Sequence, residues 1–365
     1  MKKHAIIPIF IAHRGCPNMC VFCNQREITA RTGNVTGEEV RNTIETWLST
    51  LEKNPDIETI EVSFYGGSFT GLPIEEQNEY LEIAKEYKDK GRIHKIHMST
   101  RPDYIDEKIL DNLKKYEADT IELGVQSFDE EVLKLSNRGH TVEKVYESCN
   151  LIKEYGFELG IQLMVGLPGD TLEKSIYSAK ETVKLQPSLA RIYPTIVLDD
   201  TELYNMYVKG TYIPLSRAEA ILRSKEIYKI LFNAGITIMR VGLKSTDLIK
   251  EGGKINGGTY HPAFRQLVEG AIAREEIEPQ LKEFYAKIPE SEREFLSGKN
   301  LKNQRRKVNI YSNSMWLSNV IGNCKENKLY FENKYPLISI KYKVDDSLEN
   351  MAFKVEFEEL KGDWK

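Results

Sequence analysis

Three of the chain's five cysteines fall within eight residues of one another, in the stretch HRGCPNMCVFCNQ. Cys16, Cys20 and Cys23 follow the spacing Cys-x3-Cys-x2-Cys. Thiolates this close can converge from one loop on a single inorganic cluster, and cysteine thiolate is the ordinary ligand of iron–sulfur clusters. Three ligands leave one iron of a 4Fe–4S cluster open. A structural zinc ion would need a fourth donor, usually from a second Cys pair or a His pair. His13 is close by but stands on the strand side of the loop, so zinc stays the alternative. Phe22, just before the last cysteine, fits an aromatic shield able to pack on an adenine, or plain packing.

The remaining thiols, Cys149 and Cys324, are isolated and read as buried or idle. A secreted disulfide framework would spread its cysteines through a short chain. An odd, clustered set in 365 residues points instead to a reducing compartment, and the expected location is cytoplasmic. The opening MKKHAIIPIFIAH is too short and too interrupted by Pro8 for a signal peptide. No apolar run approaches the ~20 residues of a membrane span. The net charge of −4 excludes a globally basic nucleic-acid binder and leaves room for a local basic patch.

Elements that alternate strand and helix must position the cysteine loop. Ile6 to Ala12 reads as a strand ending just before it. Gly37 to Lys53 has helical spacing behind Thr36 as N-cap, and Asn54-Pro55 stops it. The strands IETIEVSFYGG, RIHKIHMSTRP, TIELGVQS, FELGIQLMVGLPG and SLARIYPTIVL follow, separated by helices. Six such units at ~30-residue spacing force a parallel sheet with right-handed crossovers. Glycine- and proline-rich strand ends then gather at the C-terminal edge, where ligands bind in such sheets. One more helix and strand follow residue 200. The last 65 residues hold short strands at KVNIYSNS, KLYFENKYPLISIKYK and MAFKVEFEEL.

The motif and its setting resemble the radical S-adenosylmethionine (SAM) superfamily. The resemblance implies an α/β fold: a partial (β/α)6 TIM-like barrel with a β/α extension and a small mixed C-terminal region. We expect the barrel at 1–200, the extension at 201–270 and the C-terminal region at 271–365. It also implies a 4Fe–4S cluster on Cys16, Cys20 and Cys23. One electron from the cluster cleaves SAM to methionine and a 5′-deoxyadenosyl radical, which takes hydrogen from substrate.

Within the superfamily, two branches are similar: the radical SAM part of the Elongator catalytic subunit and oxygen-independent coproporphyrinogen oxidase. YGGSF carries Gly66, Gly67 and Ser68 where a Gly-Gly-Glu-like motif holds the SAM amino group. STRPDYI resembles the Elongator Glu-Thr-Arg-Pro-Asp, with Ser99 in the Glu place, so the lost carboxylate's role passes to the hydroxyl of Ser99 or Thr100. In ELGVQSFDEEVLKLSNRGH, the resemblance assigns SAM contacts to Gln126 and Arg138, with Ser127 beside them. Phe22 joins this cofactor-binding set. Tyr193, at a strand end, is expected to face the radical, and Tyr260 and His261, in GGTYHPAFRQLV, to line the substrate mouth.

Gln162 stands where porphyrinogen oxidases place an acid. No acetyl-CoA loop follows residue 270, so an Elongator-like enzyme without the acetyltransferase part is expected. The substrate reading leans to tRNA or other RNA, with a low-potential electron donor of flavodoxin or ferredoxin type. Two alternatives stay open: a small-molecule substrate, porphyrin-like or other, and a noncatalytic cluster- or haem-binding module. The basic segment LKNQRRKVNIY, with Tyr311 and Trp316, could bind phosphates and stack bases, or be a solvated face. His4, His94 and His97 are given no role.

Overall fold

The computed structural model describes residues 3–11, 16, 20–24, 35–243, 255–289 and 305–357. His13 and positions 301–304 of the basic segment lie outside the described residues. The chain divides into two compact units, Met1–Pro262 and Ala263–Lys365.

In the first unit, seven parallel strands form one sheet: β1 (His4–Ile11), β2 (Thr59–Gly66), β3 (Lys95–Thr100), β4 (Thr120–Gln126), β5 (Glu158–Val165), β6 (Leu189–Pro194) and, after a short β7 (Ile196–Leu198), β8 (Thr237–Val241). Sheet order follows chain order, as right-handed crossovers of like length require. This is the expected α/β partial barrel. The crossing helices are set by local chemistry. Thr36 and Glu39 form a reciprocal capping box at Gly37–Leu51, whose Val40, Ile44 and Leu48 are buried. Asp106, Asp129, Thr141, Thr171, Thr201 and Ser216 cap later helices by side-chain acceptance, each worth about 1 kcal/mol.

Period-2 alternation gives the sheet two unlike faces. Ile60, Val62 and Phe64 of β2, Ile96 and Met98 of β3 and Ile121 and Leu123 of β4 are buried apolar residues on one face. The opposite face carries Glu61, Ser63 and Tyr65, then His97 and Ser99, Glu122, Gln162, and Arg191 and Tyr193. That inner face is polar and charged, and it bears directly on the site.

Two local expectations are corrected. The strand read at SLARIYPTIVL is two strands. Pro194 ends β6, Thr195 ties both its N–H and its hydroxyl to the Val165 carbonyl, and β7 leaves to pair antiparallel with β9 (Ile255–Gly258). In the second unit, the first half of KLYFENKYPLISIKYK is a helix, Glu326–Lys334, and only Ile338–Val344 (β11) is a strand. Aromatic residues favour strands only where they fit a pleated face. Here Asn327 and Phe331, one turn apart, are both buried, and Asn327 Nδ2 donates to the Gly270 carbonyl at 2.8 Å. The unit is completed by the helix Phe264–Ala286, β10 (Arg306–Ser312) and β12 (Lys354–Phe357), in the sheet order β11-β10-β12. Among the described residues no helix is long and apolar enough to cross a membrane.

Candidate active site

The cysteine loop leaves the C-terminal end of β1 and is pinned from two sides. Val21 N–H donates to the Ser136 carbonyl at 3.1 Å, and Leu203 N–H to the Val21 carbonyl at 2.7 Å. Val21 packs with Val197, Leu203 and Tyr212, and half-buried Phe22 packs against this group. Cys23 N–H closes a turn on the Cys20 carbonyl at 3.0 Å. All three thiols are free of disulfides, and Cys20 is buried.

Two guanidinium groups stand against these thiols. Arg101, in the turn after β3, is 96% shielded from solvent. Its Nη1 lies 3.8 Å from both Cys16 Sγ and Cys20 Sγ. Asp103 grips its other edge bidentately at 2.8 Å twice, a rigid fork geometry, and Arg101 also donates to the Arg138 carbonyl. Burial alone would lower the Arg101 pKa, but the Asp103 carboxylate outweighs it and raises it. Arg138 Nη1 lies 3.1 Å from Cys20 Sγ, its Nη2 donates to the Gly124 carbonyl, and its Cζ is 6.0 Å from the Phe22 ring. Beside them, His140 is kept neutral by burial and by the charges of Arg138 and Arg101, its pKa pushed down to about 3.

Gln126 ends β4 at a bulge, with φ of 72°. Its Oε1 is buried with no hydrogen-bond partner among the described residues. A Cβ on Gly124 would come within 3.1 Å of Gln126 Nε2 and 3.4 Å of Arg138 Nη2, so glycine lets these two side chains meet over the strand end. Gly66 has φ of 113°, and a Cβ there would lie 2.3 Å from the Ile11 carbonyl oxygen. Gly67 N–H donates to that same oxygen at 2.8 Å. The Gly-Gly pair thus locks the end of β2 to the strand that launches the cysteine loop. Ser68 and Thr70 both bond the Thr100 hydroxyl, at 2.8 and 2.6 Å, and Arg101 N–H donates to Ser68 Oγ. Ser127 is turned toward Ser178 and the Asp129 N–H, a turn-forming position. Ser99 lies on the opposite face of β3 from Thr100, toward the inner face.

The ionic residues of the inner face were missed by sequence reasoning. His97 Nδ1 is 2.7 Å from Glu61 and its Nε2 3.2 Å from Glu122. Arg191 Nε bonds the Glu122 carboxylate at 2.8 Å, and its Nη2 donates to the Tyr65 hydroxyl. Gln162 Nε2 donates to Glu122 and, at 2.9 Å, to Ser99 Oγ. Burial opposes every one of these charges, and partners overcome it. Arg191 and His97 bring Glu122 down to about 2. Glu122 and Glu61 raise His97 to about 9. Glu61 is held well below the carboxylate range by His4 and His97, and Arg191 is raised by Glu122. The result is a buried floor of two carboxylates and two cations. On the same face, Tyr65, Ser99, Gln162, Met164 and Tyr193 are half-buried, with Ser99 in register with Glu122 and Gln162 with Arg191. Tyr193 is raised by burial. Tyr260 packs beside Ile196 and Leu198, with its hydroxyl buried and unbonded among the described residues. His261 follows it, half-buried.

Residues 10–179 match the model of the radical SAM superfamily, and 187–274 match the radical SAM C-terminal domain. The chain belongs to the radical SAM superfamily. It is an enzyme of that superfamily, whose members use a 4Fe–4S cluster and SAM. It is 30% identical over 255 residues to a tRNA uridine(34) acetyltransferase from Methanocaldococcus infernus, covering 60% of this chain and 48% of that protein. It is 28% identical over 234 residues to the oxygen-independent coproporphyrinogen-III oxidase-like protein HemZ of Bacillus subtilis, covering 61% of this chain and 42% of that one. The chain spans about half the length of the curated relatives it matches. Its fold is similar to that of the archaeal Methanocaldococcus infernus Elp3, with a TM-score of 0.62 over 75% of this chain and 64% of the other at 24% identity.

The residues present fit the superfamily's cofactors. The donor set is three thiols in one loop, none of them in a disulfide, two guanidinium groups face Cys16 and Cys20, and an orphaned acceptor, Gln126 Oε1, has no protein partner among the described residues. Those residues form no preassembled cage for a bare metal ion.

Proposed function

We propose that Cys16, Cys20 and Cys23 hold the cluster, and that SAM lies between this loop and the ends of β2, β3 and β4. The meeting of Arg138, Gln126 and Cys20 over the Gly124 gap carries this reading. In it, Arg138 takes the SAM carboxylate, Gln126 Oε1 accepts from a donor of SAM, the Gly66-Gly67 backbone and Ser68 line the amino-group side with Thr100, and Phe22 shields the adenine. When bound, the cluster supplies one electron that breaks a SAM C–S bond, giving methionine and the radical that takes hydrogen from substrate.

The chain's own residues do the rest. Arg101 holds the thiol loop in place through Asp103. The ionic floor fixes its polar neighbours: because the Glu122 carboxylate can only accept, the Gln162 amide must turn Nε2 toward it, leaving Oε1 for a ligand. Tyr193 and Ser99 share that face, and Tyr260 and His261 line the approach to it. The substrate is RNA, with a tRNA uridine foremost; similarity to the tRNA-modifying relatives supports this, as does a polar rather than apolar chamber. The electron donor is a flavodoxin- or ferredoxin-type protein. The likeness to HemZ supports a second reading, a small porphyrin-like substrate. Anaerobic turnover with deuterated tRNA decides between them. Label appearing in 5′-deoxyadenosine supports the RNA reading. Label from a deuterated porphyrinogen, and none from tRNA, overturns it.

A further inference from the structure

The second unit presents a sheet face that the radical chemistry does not use. Along β10, β11 and β12 the apolar residues Val308, Ile310, Ile338 and Ile340 point into the core built with Phe331 and the helix Phe264–Ala286. The other face is polar by the same alternation. It carries Lys307 and Tyr311 of β10, Lys341 and Lys343 of β11, and Lys354 and Glu356 of β12.

The register sets Lys343 and Lys354 on either side of Tyr311. Their ammonium groups lie 5.4 and 5.5 Å from the ring centroid. All four lysines are exposed, and Tyr311 is half-buried. Two acids border the set: Glu356 pairs with Lys354 at 2.7 Å and bonds the Tyr311 hydroxyl, and Asp345 follows β11 near Lys354. An ordinary solvated surface intersperses both signs. This face is cationic in a chain whose net charge is −4.

We propose that this face binds single-stranded RNA, with phosphates on Lys307, Lys341 and Lys343 and one base stacked on Tyr311. The charge complements a polyanion, and the aromatic ring chooses the occupant. A base of a single strand can stack on a tyrosine flanked by lysines, whereas the bases of a duplex are already stacked. The proposal rests on the RNA reading above and adds the surface that would hold the strand.

The test is fluorescence anisotropy of a labelled 12-nucleotide oligouridylate with the whole chain, across a salt series. Lys341→Ala/Lys343→Ala lowers the slope of log K against log salt by about 1.4, at about 0.7 per phosphate contact. Tyr311→Ala weakens binding about tenfold at fixed salt with the slope unchanged, and Tyr311→Phe retains it. Circular dichroism melts confirm that each variant is folded. Parent binding that none of these variants alters overturns the surface and leaves the RNA reading standing. Absence of parent binding to both this strand and tRNA overturns both. Equal loss on Tyr311→Ala and Tyr311→Phe, or equal competition by polyglutamate, marks a nonspecific cationic patch and overturns the proposal.

Discussion

Glu122→Gln tests the buried floor most sharply. The substitution keeps the shape of the side chain, so no cavity opens and the effect is electrostatic. Glu122 is fully buried and serves Arg191 at 2.8 Å, His97 at 3.2 Å and Gln162. Without its charge, Arg191 and His97 face each other across the interior with Glu61 as the remaining carboxylate. Removing one partner from a buried pair costs about 3–5 kcal/mol, because the other charge is left uncompensated. The pH dependence carries a signature that packing would not. In the parent, the His97 contribution is complete below its ordinary value of 6.5 and is lost as pH rises through about 9. The Glu122 contribution is present above 4.5 and is lost as pH falls toward about 2. A tenfold change in proton affinity on folding corresponds to about 1.4 kcal/mol of stability. In Glu122→Gln the His97 pKa falls toward 6.5, so the alkaline loss moves to lower pH and shrinks. Urea denaturation from about pH 5 to 9.5, followed for the barrel unit by hydrogen exchange, measures the cost and the alkaline arm. A cost under about 1 kcal/mol, or an alkaline arm identical to the parent's, refutes the charge-coupled floor.

Gly66→Ala places a methyl 2.3 Å from the Ile11 carbonyl at φ of 113°; backbone cannot yield there, and thermal unfolding should show a loss of at least about 2 kcal/mol. Arg138→Gln removes a charged fork, and equilibrium dialysis of the cluster-loaded protein should show SAM binding weakened about 10- to 100-fold, with Arg138→Lys recovering part of it. Phe331→Ala empties the core of the second unit, and its urea transition should move by about 3–5 kcal/mol.

The barrel was legible because its signals are local. A helix cap such as Thr36 and apolar alternation as in Ile60-Glu-Val-Ser-Phe64 fix each element within a dozen residues, and equal spacing fixes the sheet order. The thiol loop was legible for the same reason. The ionic network of the inner face was not. Glu61, His97, Glu122 and Arg191 each look like one polar interruption in a strand, and their meaning comes from partners on other strands, as far apart as the 69 residues between Glu122 and Arg191. Arg101 was in plain view within STRPDYI, but nothing in the sequence brings its guanidinium 85 residues back to Cys16. The helix Glu326–Lys334 was hidden by strand-favouring aromatics whose burial is a tertiary matter.

The central claim is that Cys16, Cys20 and Cys23 together generate the reactive species. Its direct measurement is 5′-deoxyadenosine released from SAM by the anaerobically reconstituted chain under dithionite, beside Cys16→Ala, Cys20→Ala and Cys23→Ala. The account requires iron, sulfide and product in the parent and product in none of the three variants; a fully loaded parent that releases no 5′-deoxyadenosine, or a variant that releases as much as the parent, contradicts it.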